Sequence, residues 1–395
     1  MNEERKRLWR SARRILAVRL DNLGDVLMTT PALVALRRSL PEARITLLAS
    51  PAGAALRPHL PVVDEVIEFR APWVKHEGGD EAPGLAEARL LERLAAERFD
   101  AAIIFTVCTQ SALPAALMCR LAGIGLRLAY ARENPYRLLT DWVVDRDTPR
   151  AGGRHEVRRQ LDLLRSVGFE APETSLQFAC RPQDNVSLLE KLAGSGANLE
   201  RSYIVVHPGA SAPSRRYPAV RFGEAAARVA RETGSQLIVV AGPSEAAQAD
   251  EVVQGARGVT ACLTGALSLG ELAALIGHAR LVLCNNSAPA HLAAALGTPV
   301  VVPYALTNSQ HMPWRVPSRV LYREVPCRDC LKSVCPEGHH ACLLGVSSEQ
   351  VAAAALELLA VDQPAPAVAP LAAAGALPRL AVDGFGVAPL QGESA

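Results

Sequence analysis

One stretch near the start constrains the chain more than any other: Ile15-Leu16-Ala17-Val18-Arg19-Leu20-Asp21-Asn22-Leu23-Gly24-Asp25-Val26-Leu27-Met28-Thr29-Thr30-Pro31-Ala32-Leu33. A short apolar run breaks at Asp-Asn-Leu-Gly-Asp and resumes with helical spacing. That pattern predicts a buried strand, a glycine turn and a helix beginning near Asp25. In an open α/β sheet, ligands bind at the turn after the carboxyl end of a strand, so Asp25 is expected at the mouth of a cleft. Asp is also a preferred helix cap, and one residue can fill both roles.

The same alternation continues downstream. Strands are expected at 43–49, 63–68 and 101–106, and helices at 26–40 and 85–98, which implies a parallel sheet with helices on both faces. The segment from Trp73 to Gly84, rich in glycine and charge, reads as a mobile loop. Residues 127–154 read as loop, dense in arginine (Arg127, Arg132, Arg137, Arg146, Arg150, Arg154), and a helix starts at His155. Arginine on loops suits an anionic partner or is ordinary solvated charge. Arg127, Arg132 and His155 are the candidate acceptor contacts.

The pattern restarts at Tyr203, with strands at 203–206, 236–241, 281–284 and 300–303 and helices at 219–233, 244–254, 269–278 and 288–296. At 395 residues the chain exceeds one ordinary core. The expected division is a basic extension over 1–14, a first Rossmann-like domain over 15–185, a second over 186–360, and a disordered Ala/Pro-rich tail over 361–395.

A net charge of +2 and 4% aromatic residues argue against a nucleic-acid partner. Met1–Arg14 is basic and lacks the apolar core of a secretory signal, and 101–125 is too interrupted to span a bilayer. A cytoplasmic protein is expected, with the basic leader either solvated or lying on anionic lipid.

The second domain opens with His207-Pro208-Gly209-Ala210-Ser211-Ala212-Pro213-Ser214-Arg215-Arg216-Tyr217-Pro218 between a strand and a helix. Small residues admit a close ligand, and adjacent arginines offer permanent charge to phosphate oxygens. Ser211, Arg215 and Arg216 are therefore candidate diphosphate contacts. Gly242 and Glu245, in the turn after the next strand, are candidate nucleoside contacts. In Cys284-Asn285-Asn286-Ser287-Ala288-Pro289-Ala290-His291, Ser287 is a candidate helix cap that leaves neighbouring amides for an anion. A lone buried histidine such as His291 is commonly structural.

These motifs resemble, in order, those of glycosyltransferase family 9, the ADP-heptose:lipopolysaccharide heptosyltransferases. The resemblance covers most of residues 14–360. It implies a GT-B fold, two Rossmann-like domains facing across a cleft, and inverting transfer that needs no metal or other cofactor. It also implies an ADP-heptose donor, a lipopolysaccharide-type glycolipid acceptor and work at the inner-membrane surface. By the same resemblance Asp25 is the general base, Arg215 contacts the donor diphosphate, and Asn286, Ser287, Ala288 and His291 hold the donor. The chain departs from the family pattern at Arg215 (for Lys), Tyr217 (for Trp), Asn286 (for Asp) and Ala288 (for Gly). An amide adds no negative charge, so another nucleotide sugar, a protein acceptor, or a non-catalytic nucleotide-sugar-binding role stay open.

Nine cysteines are present, four of them between 327 and 342. Cys327, Cys330, Cys335 and Cys342, with His339 and His340 among them, have metal-ligand spacing. A structural zinc or iron site, a set of reduced thiols and a disulfide are the three readings.

Overall fold

The computed structural model describes residues 3–75, 84–148, 153–306 and 308–360. Part of the 73–84 loop, Arg150 and the 361–395 tail lie outside the described residues.

Two six-stranded sheets carry the molecule. The first comprises β1 (Arg14–Arg19), β2 (Arg44–Ala49), β3 (Glu65–Glu68), β4 (Ala101–Ile104), β5 (Leu126–Ala131) and β6 (Asp141–Val144), in the order β3-β2-β1-β4-β5-β6. The second comprises β7 (Tyr203–His207), β8 (Gln236–Ala241), β9 (Ala261–Thr264), β10 (Leu281–Cys284), β11 (Val300–Pro303) and β12 (Ser318–Leu321), in the order β12-β11-β10-β7-β8-β9. Every pairing is parallel. Both orders are the doubly wound one, in which the chain reverses direction beside the first strand and opens a crevice there. The switch points lie between β1 and β4 and between β7 and β10. The fold is α/β, of the GT-B type.

The runs that form central strands are apolar throughout because both faces are covered. Ile15 and Ala17 enter one core and Leu16 and Val18 another, on opposite faces of β1. The first of these cores is shared between the domains: it also takes Tyr203 and Val205 of β7 and Leu292 and Leu296 of the helix Ala288–Leu296. Fully burying each such side chain stabilises the fold by about 1.5–3 kcal/mol. The helix Leu23–Ser39 packs against Ala288–Leu296. A continuous apolar seam therefore holds the two sheets in one arrangement.

Several expectations are corrected. Residues 127–154 contain two strands, β5 and β6. The arginines obscured the strand Leu126-Arg-Leu-Ala-Tyr-Ala, in which every residue after Leu126 is buried, Arg127 included. β9, β12 and the helix Ser348–Ala360 had no counterpart in the sequence reading. The first helix starts at Leu23, earlier than expected, with Asn22 at its cap. The division at 185/186 falls inside the helix Pro182–Leu192, which packs against Leu269–His278. The basic leader is a helix, Glu3–Ser11, and is docked: Trp9 is fully buried and, with Arg5, donates to the Asp141 carboxylate. Among the described residues no helix is long and apolar enough to cross a membrane.

Candidate active site

At the carboxyl rim of the first sheet, β1 ends in Arg19, whose side chain is fully buried. A buried guanidinium must be paired. Its Nη1 donates to Glu156 Oε1 at 2.9 Å, its Nε lies 2.9 Å from Asp21 Oδ2, and its Nη2 lies 3.4 Å from Asp25 Oδ1. One cation thus faces three carboxylates. Asp25 occupies the third position of the helix, where its Oδ2 accepts the Asn22 N–H at 3.2 Å. It takes the carboxylate half of a capping box, with Asn22 at the cap position.

Burial pushes the Asp25 carboxyl above its ordinary pKa. Arg19 opposes this, the neighbouring Glu156 adds to it, and Asn22 and Arg215 pull it back. Asp21 is pushed up to about 6, chiefly by burial and against the pull of Arg19. Glu156, which accepts a hydrogen bond from the guanidinium, stays below its ordinary value despite burial. The rim therefore holds one firmly ionised carboxylate and two whose affinity for a proton is raised, the arrangement proton transfer near neutral pH needs.

At the rim of the second sheet, residues after β7 turn through Pro213–Arg215. Arg215 donates from Nη2 to Ser211 Oγ at 2.8 Å and from Nη1 to the Asn286 carbonyl at 3.3 Å. Asn285, fully buried, fixes the loop: its Nδ2 donates to the Pro208 carbonyl and its Oδ1 accepts the Tyr217 N–H. Glu245 accepts the Gly242 N–H at 2.9 Å and lies 3.4 Å from His207 Nε2. A Cβ on Gly209 would fall 1.8 Å from that carboxylate, so the glycine lets the Glu245 side chain lie against the loop as it does here.

The two rims meet. A Cβ on Gly24 would lie 2.7 Å from the ring of His291, so glycine there lets the first-domain turn close against the second-domain helix. His291 is buried with Nδ1 unpartnered, and burial lowers its pKa to about 3, so it meets the turn as a neutral ring. His311 reaches from the second domain into the carboxylate cluster, its Nδ1 4.0 Å from Asp25 Oδ1 and its Nε2 4.0 Å from Glu156 Oε2. The ionisation of Asp25 and that of Arg215 are mutually coupled, each favouring the charged form of the other.

The predicted residues divide. Asp25, Ser211, Arg215, Asn286, Ser287, Ala288 and His291 come together around the junction of the two rims. Arg127 does not: it sits near the amino end of β5, buried, and donates to the carbonyls of Ile124, Arg137 and Leu138. Arg132 is at the correct end of β5 but donates to the Cys108 and Asp147 carbonyls. His155 caps the helix Glu156–Ser166, accepting the Val157 N–H. Its Nε2 bonds the Met312 carbonyl across the domain boundary at 2.9 Å, and its ring lies 4.5 Å from that of Trp314. Arg216 bends back to the Ala210 carbonyl. Ser287 holds the cap position, but its hydroxyl donates to the Asn285 carbonyl and accepts no helix N–H. Gly242 and Glu245 stand together in the turn after β8 and brace it. Arg19, Glu156 and His311 were given no role in the sequence reading. An arginine closing an otherwise apolar strand is a visible sign of a buried ion pair, whereas no local pattern marks His311.

Cys327, Cys330, Cys335 and Cys342, with His339 and His340, line one small cavity, and Ser214 forms part of its wall. Cys327 Sγ lies 3.9 Å from His339 Nε2. Among the described residues, no three candidate ligands converge at metal-binding geometry, and every cysteine is a free thiol. The loop buttresses the arginine turn: Ser214 donates from its N–H to the Ser333 carbonyl and from its hydroxyl to the Lys332 carbonyl.

Comparison with known proteins gives a consistent picture. The family model "Glycosyltransferase family 9 (heptosyltransferase)" matches residues 87–341. Lipopolysaccharide heptosyltransferase 3 of Escherichia coli is 27% identical over 321 residues, 78% of this chain and 89% of that protein. The crystal structure of a family 9 glycosyl transferase from Veillonella parvula superposes with a TM-score of 0.74 at 23% identity, over 88% of this chain and 97% of that one. The structure of the E. coli ADP-heptose lps heptosyltransferase II superposes with a TM-score of 0.65 at 21% identity, over 88% and 98% respectively.

Proposed function

The chain belongs to glycosyltransferase family 9, the heptosyltransferases, and from that premise we propose that it transfers a heptose-like sugar from an ADP-sugar to a lipopolysaccharide core-type acceptor, with inversion and without a catalytic metal. The observation that carries this reading is the opposition of Asp25 and Arg215, one from each domain, across a single junction.

The first domain takes the acceptor and the second the donor. The Asp25 carboxylate accepts the proton of the attacking acceptor hydroxyl. As that oxygen bonds the anomeric carbon from one face, the bond from this carbon to the diphosphate oxygen breaks on the other, and the nucleoside diphosphate leaves with the electron pair. General-base help of this kind is worth about 10²–10⁴-fold. Arg215, with the amides that open the helix Ala288–Leu296, stabilises the charge gathering on the diphosphate, and Ser211 holds the guanidinium in place. Arg19 and Glu156 keep the Asp25 carboxylate oriented, and His311, neutral through burial, closes the cluster from the other domain. Asn286 and the turn at Gly242 and Glu245 border the sugar and nucleoside.

The reading extends to location and to the cysteine loop. Arg7, Arg10 and Arg13, exposed on or beside the leader helix, offer an anionic inner-leaflet surface about 1 kcal/mol each for a peripheral, cytoplasmic enzyme. The thiol set of Cys327, Cys330, Cys335 and Cys342 has the softness to hold zinc or iron as a structural ion after local rearrangement. Metal analysis of protein purified without chelator is expected to give near one equivalent, and less than a tenth of an equivalent refutes it.

Donor identity is tested by thermal shift and product analysis together. A ligand that binds only the folded state raises Tm by mass action. ADP is expected to raise Tm more than UDP does, and the product is expected to have the anomeric configuration opposite to that of the donor. Equal shifts refute the ADP assignment, and retained configuration refutes the mechanism.

A further inference from the structure

A second cavity, of about 280 Å³, opens beside the carboxylate cluster and lies wholly within the first domain. Its floor is Ile104 and Phe105 at the end of β4, and one wall is Trp73, whose ring is held against Phe69 at 5.8 Å. Asp21, Gln110 and Thr109 supply the polar side. The Asp21 carboxylate accepts a hydrogen bond from Gln110 Nε2 at 2.5 Å and faces Arg19 on its other oxygen. Through Arg19 the cavity adjoins Asp25, the base of the reading above.

Two properties define what fits here. An aromatic face beside hydrogen-bonding side chains suits a sugar ring, which presents C–H groups on one side and hydroxyls around its edge. Charge narrows the class. Among the described residues no lysine or arginine lines the cavity, and its neighbouring cluster sets three carboxylates against one arginine. Of the two arginines that sequence placed on the acceptor side, Arg127 is held by backbone carbonyls near the amino end of β5, and Arg132 donates to the Cys108 and Asp147 carbonyls and pairs with Asp145 at 3.5 Å. An acidic sugar or a phosphorylated one would meet an excess of like charge from Asp21 and its neighbouring carboxylates, and rejection by unpaired charge is a strong form of discrimination.

We infer that this cavity is an acceptor subsite for an uncharged sugar ring, stacked on Trp73 and hydrogen-bonded by Asp21, Gln110 and Thr109. The inference rests on the first domain's being the acceptor domain and names the class of sugar that domain selects. Trp73 is here a binding residue with no part in the chemical step.

The test is saturation-transfer NMR on the full chain saturated with ADP. The probes are methyl glycosides of glucose, galactose and mannose, with methyl glucuronide and methyl galacturonide as anionic counterparts. Neutral glycosides are expected to receive saturation, at least tenfold more than the uronides at equal concentration. Trp73→Ala is expected to abolish the transfer and Trp73→Phe to keep most of it, with the ADP-induced Tm rise unchanged in both. Uronides that match or exceed the neutral glycosides overturn the inference, as does transfer that survives Trp73→Ala or an absence of transfer from every glycoside. A protein whose Tm ADP does not move contradicts the donor assignment instead, so the two failures are told apart.

Discussion

At the carboxyl rim of the first sheet a buried arginine is surrounded by Asp21, Asp25 and Glu156, while at the same rim of the second sheet Arg215 donates, among the described residues, to the Ser211 hydroxyl and the Asn286 carbonyl. The strand order is the same in both. The contrast therefore lies in the side chains at the strand ends and the turns and helix starts that follow them, which is where a doubly wound fold keeps its chemistry. The acidic rim gathers proton-accepting groups, and the basic one leaves a guanidinium with capacity to spare for an anion. In the proposed reaction, proton removal and leaving-group stabilisation fall to separate domains, and that reaction needs both rims together.

Four substitutions break or sharpen that contrast. Asp25→Asn removes the proton acceptor while keeping shape. The turnover number is expected to fall about 10³-fold with donor KM little changed, since general-base losses run to ~10²–10⁴; near-wild-type turnover in a steady-state transfer assay would remove Asp25 from the role. Arg215→Ala is expected to cost about 10²-fold in kcat/KM for the donor, the scale of losing one donor to developing charge. A loss confined to the acceptor's KM would reverse the division between the rims. Gly24→Ala places a methyl against His291 and pushes the rims apart, with about a tenfold loss that corresponds to ~1.4 kcal/mol. His291→Ala added to it should restore part of the rate, and a Gly24→Ala enzyme of full activity would show that the domains need not approach so closely. Arg127→Gln is the smallest kinetically. It should leave acceptor KM unchanged while lowering unfolding free energy by about 1–3 kcal/mol in denaturant titration, because buried carbonyls lose their donors.

The sequence made much of the frame legible. Helices Ala219–Thr233, Leu269–His278 and Ala288–Leu296 and strands Gln236–Ala241, Leu281–Cys284 and Val300–Pro303 fall where apolar period and glycine stops put them. β5 and β6 were hidden because they carry Arg127, Asp141 and Trp142 in a segment that composition marks as loop. The places of Asp25 and Arg215 were legible for a local reason: each lies within a few residues of the end of a central strand. Glu156 and His311 were not, because what makes them part of the site is long-range. Arg19 and Glu156 are 137 residues apart in the chain, and His311 is carried across by a segment whose Met312 and Trp314 bond the first domain. Arg127 misled for the converse reason, since arginine content says nothing about which end of a strand a side chain occupies.

The central claim is that a buried carboxylate of the first rim takes the acceptor's proton, and the pH dependence of kcat/KM for the acceptor tests it most directly. A base works only when ionised. Burial raises Asp25 and lifts Asp21 to about 6, so activity should fall as pH drops through a midpoint well above the ~3.9 of an ordinary aspartate. The folded state binds the Asp21 and Asp25 protons more readily than the unfolded one, so protonating these two groups does not itself destabilise the fold. An acid limb centred above the ~3.9 of an ordinary aspartate, reached while the protein is still folded, is the predicted result. Activity that stays flat down to ~4, or that falls only as the protein unfolds, would contradict the account.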